Sequence, residues 1–447
     1  MSLTAAGFLT FYLTGLVMSV VRHPRYGLYA YLLAFYMHPP DRWWRAEVPD
    51  LRWAFIAGLV TLICTVRLKS DQTRAPWYRT GGGLFLIFYL GWMLLQSLWV
   101  ISPYHQEGVE LLAKYTVLYY LIYRLVDSEE EMRNFFLVHV LGSFYLGWLA
   151  YGTTVRGRLE GMGGPGIDDA NTFGMHVSTA AVFSAALLLR GGKYVRLAVL
   201  CAAPFIVNAM ILTQSRGAFL GLVAGGLGVF VAKPARKKPV VYLLGALAVI
   251  LLLMLAPPDF VERMKTITAA TDETAEMDGS AASRLEIAKA QLEMFRDYPM
   301  GVGHHGTRAI SSYYLEEDLL TTNKGGGLAR SSHNTLLAAL VDQGAPGIMM
   351  YLAMLFWVGR TIRDLKRLDA QGLPDALGSY RMSLAGAFAL IVIAGMFSNY
   401  FRAEVTIWCM ALLAALKAQA ETTTTAAVES QEASMHGGVL GSQEKRA

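Results

Sequence analysis

Pro239-Val240-Val241-Tyr242-Leu243-Leu244-Gly245-Ala246-Leu247-Ala248-Val249-Ile250-Leu251-Leu252-Leu253-Met254-Leu255-Ala256 carries no charged side chain; Lys233, Arg236, Lys237 and Lys238 precede it and Pro257 closes it. The hydrocarbon core of a bilayer takes about 20 apolar residues in helical form, or slightly fewer where the flanks snorkel. The stretch therefore reads as a membrane crossing that starts from a basic mouth. Similar runs recur on both sides of it, at 5–21, 26–39, 51–67, 82–101, 108–126, 134–152, 172–190, 195–213, 216–232, 334–358, 381–399 and 402–417. The run at 26–39 is short enough to be re-entrant. An all-α, polytopic transmembrane bundle of about 12 or 13 helices is the expected fold.

Composition agrees with that pattern. Of 447 residues, 54% are hydrophobic and 16% charged, which is a membrane balance and leaves no room for a hidden soluble domain. Lys and Arg in short loops set orientation. Threading the spans alternately gathers Arg22, Arg25, Arg67, Lys69, Arg74, Arg79, Arg190, Lys193, Arg196, the 233–238 run, Arg360, Arg363, Lys366 and Arg367 on one side, the cytoplasmic one. The formal charge of +5 is then a topology signal and gives no reason to expect nucleic acid as a partner. Four regions follow: transmembrane helices over 1–256, a large extracytoplasmic loop over 257–332, further transmembrane helices over 333–419, and a cytoplasmic tail over 420–447 whose polar composition predicts disorder. The first span lacks a basic start and a small-residue cleavage site, so it reads as retained. Cys64, Cys201 and Cys409 fall inside apolar spans, where a thiol acts as a small hydrophobe and no disulfide is expected.

A loop as long as 257–332 is either functional or disordered, and its residues predict order. Ser283-Arg284-Leu285-Glu286 reads as a capping box, with Leu285, Ala288, Leu292 and Phe295 at helical spacing behind it. Pro299 ends that surface helix, and Gly301-Val302-Gly303 turns the chain before His304 and His305. Gly325 to Gly327 form a hinge into Arg330-Ser331-Ser332-His333-Asn334, which opens the next membrane helix. Ser331, Ser332 and Asn334 are each suited to cap that helix, so His333 is expected in its first turn. The positive end of the helix dipole disfavours imidazolium there, and a neutral imidazole accepts protons at physiological pH. A histidine that only caps the helix end is the alternative.

Arginines at extracytoplasmic helix ends are the second signal, because each needs a partner or must snorkel to the headgroups. Arg216 lies in the tight turn Gln214-Ser215-Arg216-Gly217, Arg284 begins the surface helix, and Arg156 and Arg158 flank a glycine-rich loop over 161–166. Arg402 reads as a snorkelling residue. A guanidinium matches phosphate oxygens bidentately, so several converging would hold a diphosphate without a metal. Asp168, Asp169 and Asn171 suit sugar hydrogen bonds, a divalent ion or the cap of the helix near Thr172. Asp272, Glu273, Glu276 and Asp278 read as a solvated face, and His304 and His305 as metal ligands only with further partners. Asp342, inside an apolar span, is either a functional carboxylate or one satisfied locally at a kink.

The order of these motifs resembles the O-antigen ligase superfamily: Ser215-Arg216-Gly217, then Arg284, Pro299-Met300-Gly301-Val302-Gly303, Ser332-His333-Asn334-Thr335 and Gln343-Gly344-Ala345-Pro346-Gly347. That superfamily includes O-antigen polymerases and bacterial oligosaccharyltransferases. The resemblance implies an inner-membrane glycosyltransferase moving a glycan from undecaprenyl diphosphate to an acceptor hydroxyl on the periplasmic side, with no cofactor and no essential metal. It implies diphosphate binding by Arg216 and Arg284, less securely by Arg158, and acceptor activation by His333. Asn334, Asp168, Asp169 and His305 are further candidates for substrate contact. Lipid A core oligosaccharide is the preferred acceptor, because no extra soluble domain is present to recognise a polypeptide; a growing glycan or a protein hydroxyl are the alternatives. A transporter of polyprenyl-linked glycans would show internal repeats and charged groups across the midplane, and the sequence offers neither.

Overall fold

The computed structural model describes residues 1–69, 73–153, 157–234, 238–269, 279–322, 327–370, 375–399 and 403–444. It is a helical bundle whose strands, among these residues, are the two-residue pair β1 (Thr321–Thr322) and β2 (Leu328–Ala329). The helices in chain order begin with α1 (Leu3–Val21), α2 (Arg25–Met37), α3 (Trp53–Val66), α4 (Gly81–Gln96) and α5 (His105–Leu125). Next come α6 (Glu129–Tyr151), α7 (Ala170–Arg190), α8 (Lys193–Leu212), α9 (Arg216–Ala232) and α10 (Lys238–Leu255). The loop region holds α11 (Pro258–Ala269), α12 (Gly279–Asp297) and α13 (Gly306–Ile310), and the chain closes with α14 (Thr335–Ala370), α15 (Asp375–Ala394) and α16 (Glu404–Glu444).

Six helices, α1, α6, α7, α8, α14 and α15, are long and apolar enough to cross a membrane, or seven when the bent pair α10–α11 counts as one. The other expected crossings are α2, α3, α4 and α9, of 13 to 17 residues, and α5 and α16, which mix polar residues into longer helices. Apart from α9, which matches its expected span, they differ from the sequence expectation in length. A helix packed among protein neighbours does not have to meet lipid along its whole span. Lipid-facing surface is plain elsewhere: Phe11, Val21, Leu253 and Met254 are exposed apolar residues on α1 and α10. Cys64, Cys201 and Cys409 are free thiols.

At the centre, α15 packs on α9 and α7, α7 on α8, and α6 on α7 and α8. The α9–α15 contact is close because α9 presents small residues: a Cβ on Gly221 would stand 2.8 Å from that of Ala394, and one on Gly225 3.2 Å from the Gly386 carbonyl. Small residues on facing helices let backbones approach in just this way. Within this core Tyr36 bonds His139 and, at 3.0 Å, His176, while His139 Nε2 lies 2.9 Å from the Thr179 hydroxyl. All four are buried. The network ties α2, α6 and α7 together beneath the N-terminal end of α7.

Two features of the large loop depart from the sequence reading. The surface helix starts at Gly279, so Ser283 lies inside it and does not cap it. A second helix, α11, turns 111° from α10 at the paired prolines and folds back toward α9, with Phe260 edge-on to Phe219 at 5.8 Å. At the other end of the chain, helical backbone continues to Glu444 through the stretch whose composition predicts disorder. Thr422, Thr423 and Thr424 each donate there to the carbonyl four residues back.

Candidate functional site

His333 lies immediately before α14 and is partly buried. Asn334 is the cap: its Oδ1 accepts the N–H groups of Leu336 (2.9 Å) and Leu337 (3.2 Å). The imidazole is thus one residue outside the helix and not in its first turn, as the sequence alone suggests. The segment is pinned from both sides. Thr335 N–H donates to the Gly395 carbonyl and its hydroxyl to that of Ser398, fixing it to the end of α15. From the loop, buried Gln291 of α12 donates to Ser332 Oγ and Thr307 Oγ1, both at 2.9 Å. A histidine held this tightly has little freedom to move away from its surroundings.

Those surroundings are cationic. Burial, followed by the positive charge of Arg330 and Arg284, pushes the His333 imidazole down to about 4; Asp169 opposes them and Arg158 adds to them. The ring is therefore neutral at physiological pH. Arg158 spans two elements, its Nη2 donating to Asn171 Oδ1 (2.8 Å) and its Nε to the Thr213 carbonyl (3.2 Å). Asn171 Oδ1 also accepts from Ser215 Oγ at 2.8 Å, and Ser215 caps α9, whose first residue is Arg216. Arg284 lies 5.9 Å from the centroid of Phe397, and a Cβ on Gly217 would stand 2.6 Å from the same phenylalanine's Cβ. The starts of α7, α9, α12 and α14 are in this way drawn to one end of the bundle.

Other sequence candidates have definite duties. Asp169 caps α7, accepting from Asn171 N and Thr172 N (2.9 and 3.2 Å), so the capping reading holds, while its charge also reaches His333. Asp168 is exposed, and its carbonyl accepts the Gly161 N–H at 2.7 Å. Asn334 has its carbonyl oxygen engaged in the cap. Arg156, Arg402, the four carboxylates at 272–278 and Gly325 and Gly326 lie outside the described residues.

His305 belongs to a different constellation. Asp342 Oδ2 accepts its N–H (3.0 Å) and Oδ1 that of Gly306 (2.8 Å), so this buried carboxylate caps the short α13. Asp342 is thus satisfied locally beside a kink, as one of its two readings expects. The His305 ring stands edge-on to Tyr104 at 5.8 Å and beside His304 at 4.3 Å. At Gly344 α14 leaves helical geometry (φ 66°, ψ −163°). Freed backbone groups there are met by the 299–303 turn: Val302 N donates to Val341 O, Gly303 N to Asp342 O, and Ala345 N to Pro299 O. Gln96 adds bonds to the Met300 and Asp342 carbonyls (3.1 and 2.8 Å). Gly301 and Gly344 meet so closely that a Cβ on either would lie within 2.6 Å of the opposing backbone.

Residues 176–352, from within α7 to within α14, match the family model described as O-Antigen ligase. This match supports the O-antigen ligase superfamily. Its members are glycosyltransferase-type enzymes working in a membrane context. No curated protein matched the chain. Within the matched ligase region lie Arg216, Arg284, Arg330 and His333, whereas Arg158, Asp168 and Asp169 precede it.

Sequence reasoning passed over three residues that build this part of the site. Arg330, read only as part of the segment that opens the next helix, exerts the largest charge effect on His333, and its buried Nε has no hydrogen-bond partner among the described residues. Arg263 of α11 donates to the Gln214 carbonyl at 2.8 Å and holds the strained turn (Gln214 φ 48°) before Arg216. Gln291 links the surface helix to the His333 segment. Only Arg330 had a visible signal, its spacing of three residues from His333. Among the described residues no group of three or more His, Cys, Asp or Glu side chains is arranged to hold a metal ion.

Proposed function

We propose that this protein is an O-antigen ligase proper: it transfers a glycan from undecaprenyl diphosphate to a hydroxyl of the lipid A core on the periplasmic side of the inner membrane. The observation that carries the reading is the set of guanidinium groups, from Arg158, Arg284 and Arg330, whose charge falls on one pinned, neutral imidazole. Guanidinium groups gathered at one place suit an anionic ligand, and a diphosphate is the anion this family's donor supplies. Arg216, beside Ser215 in the same hydrogen-bonded corner, completes the proposed diphosphate cradle.

In the proposed reaction His333 takes the proton from the acceptor hydroxyl as its oxygen attacks the anomeric carbon. The bond from that carbon to the diphosphate oxygen breaks, and the electron pair leaves with undecaprenyl diphosphate. The arginines neutralise the charge that develops there, and the proton passes from His333 to water. Attack opposite the leaving group inverts the anomeric centre. An imidazole held near 4 is a poor base, but a bound diphosphate would cancel the field of the arginines and raise it toward the ordinary histidine range. Base strength and donor occupancy are then coupled, which restrains proton abstraction until the donor is in place.

The test is transfer by purified wild type and His333→Ala protein, given polyprenyl-diphosphate glycan, lipid A core and EDTA. EDTA-resistant transfer by wild type, lost in the variant, is the expected result. Full activity of the variant would return His333 to a structural role, and absence of wild-type transfer to this acceptor would favour a glycan or protein acceptor. Transfer in detergent, with no membrane gradient, would also exclude a transporter.

A further inference from the structure

The opposite end of the bundle holds a second cationic feature that the transfer reaction does not use. Helix α4 is 16 residues long, about 24 Å; Gln96 at one end reaches Met300 and Asp342, so Gly81 marks the far end. Beside that far end is a cavity of about 320 Å³, between the end of α3, the 73–79 segment and the last turns of α5. Arg74 and Arg124 line it with Tyr78, Tyr120 and Tyr123.

Its walls are built and not merely adjacent. Arg74 Nη2 donates to the Tyr123 carbonyl at 3.1 Å, with the guanidinium carbon 4.8 Å from the Tyr123 ring centroid. Tyr123 returns a bond to the Ala75 carbonyl at 2.6 Å, and Arg124 donates to the Lys69 carbonyl. Leading to this cavity, α3 presents an apolar stripe to its outside: Phe55, Leu59, Ile63 and Val66 are 54%, 45%, 50% and 70% exposed. Their spacing places them on one helix face. Two arginines with interfacial tyrosines at the head of an apolar track match a molecule with an anionic head and acyl tails.

We propose that this cavity binds the phosphate of an anionic phospholipid from the leaflet opposite the His333 site, its acyl chains lying along the Phe55–Val66 face of α3. The site needs no part of the transfer reaction, and the two readings fail separately. Native mass spectrometry of the full chain in detergent, offered phosphatidylglycerol or phosphatidylcholine, tests it. Wild type is expected to retain phosphatidylglycerol at least fivefold over phosphatidylcholine. Arg74→Gln and Arg124→Gln should each lower that retention about fivefold, the increment expected for one basic residue at a lipid surface. Arg74→Lys, which keeps the charge, should retain most of it. Equal retention of the two lipids by wild type would overturn the site, whether or not a variant folds. So would an undiminished preference in a double variant that unfolds at the wild-type temperature. Displacement of phosphatidylglycerol by millimolar inorganic phosphate would overturn the lipid assignment in favour of a soluble phosphate.

Discussion

Two stretches of α14 and its approach, 330–335 and 341–346, lie close in sequence and are organised on opposite plans. At 341–346 a helix breaks, and nearly every group the break exposes is met by protein: the 299–303 turn, Gln96 and the N–H groups of His305 and Gly306. At 330–335 the backbone is equally well held, but the charges acting on His333 are mainly positive. Arg330, Arg284 and Arg158 bear on His333, and Asp169 acts against them. The first stretch is closed on itself, as a scaffold should be. The second is rigid in its frame and cationic around its imidazole, which is the arrangement the proposed anion site requires.

The contrast can be broken most forcefully at its charged end. Replacing both Arg284 and Arg330 by Ala should reduce kcat/KM for glycan transfer about a hundredfold or more, since one charged hydrogen bond is worth about 1.5–3 kcal/mol. Thermal stability should change little, and circular dichroism with transfer kinetics would separate the two effects. If the double variant transferred normally, the distinction between the two stretches would lose its functional meaning.

At the scaffold end the signs reverse. Gly344→Ala should cost about 1–3 kcal/mol of stability, because the backbone there adopts a conformation that side chains resist and the added Cβ meets the 299–301 backbone. Chemical denaturation in detergent would measure it, and transfer per folded molecule should be nearly preserved. Selective loss of activity without destabilisation would show that the break is more than a scaffold.

A smaller and sharper effect concerns pH. A folded-state imidazole lowered to about 4 is neutral above that value and protonates as the pH falls through it. The acid limb of kcat/KM, which reports the free enzyme, should therefore have its midpoint near 4. The limb of kcat should lie higher, because donor is bound. The stability contribution has the same direction: it is present above the unfolded histidine value and is lost as pH falls toward 4.

How much of this was legible depended on the distance over which each interaction acts. The membrane architecture, Arg216 at a tight turn and His333 beside a helix start are local patterns and could be read directly. The assignment of Asp342 could not, because its partners His305 and Gly306 are brought to it by a turn of the large loop. The same is true of Gln291 and Arg263, whose partners are Ser332 and Gln214. Arg330 was within reach of a local reading, since it lies three residues before His333. Helix lengths were overread at α2, α3 and α4, where apolar composition continues into irregular segments such as 97–101.

The most direct measurement is the titration of His333 by NMR in the full chain, its resonance assigned by loss in His333→Gln, with and without a polyprenyl diphosphate. The account predicts a midpoint near 4 in the free protein that moves up toward 6.5 when the diphosphate binds, as its charge cancels that of the arginines. A midpoint unchanged by saturating diphosphate would contradict it, since the arginines around His333 would then not be where the donor's charge resides.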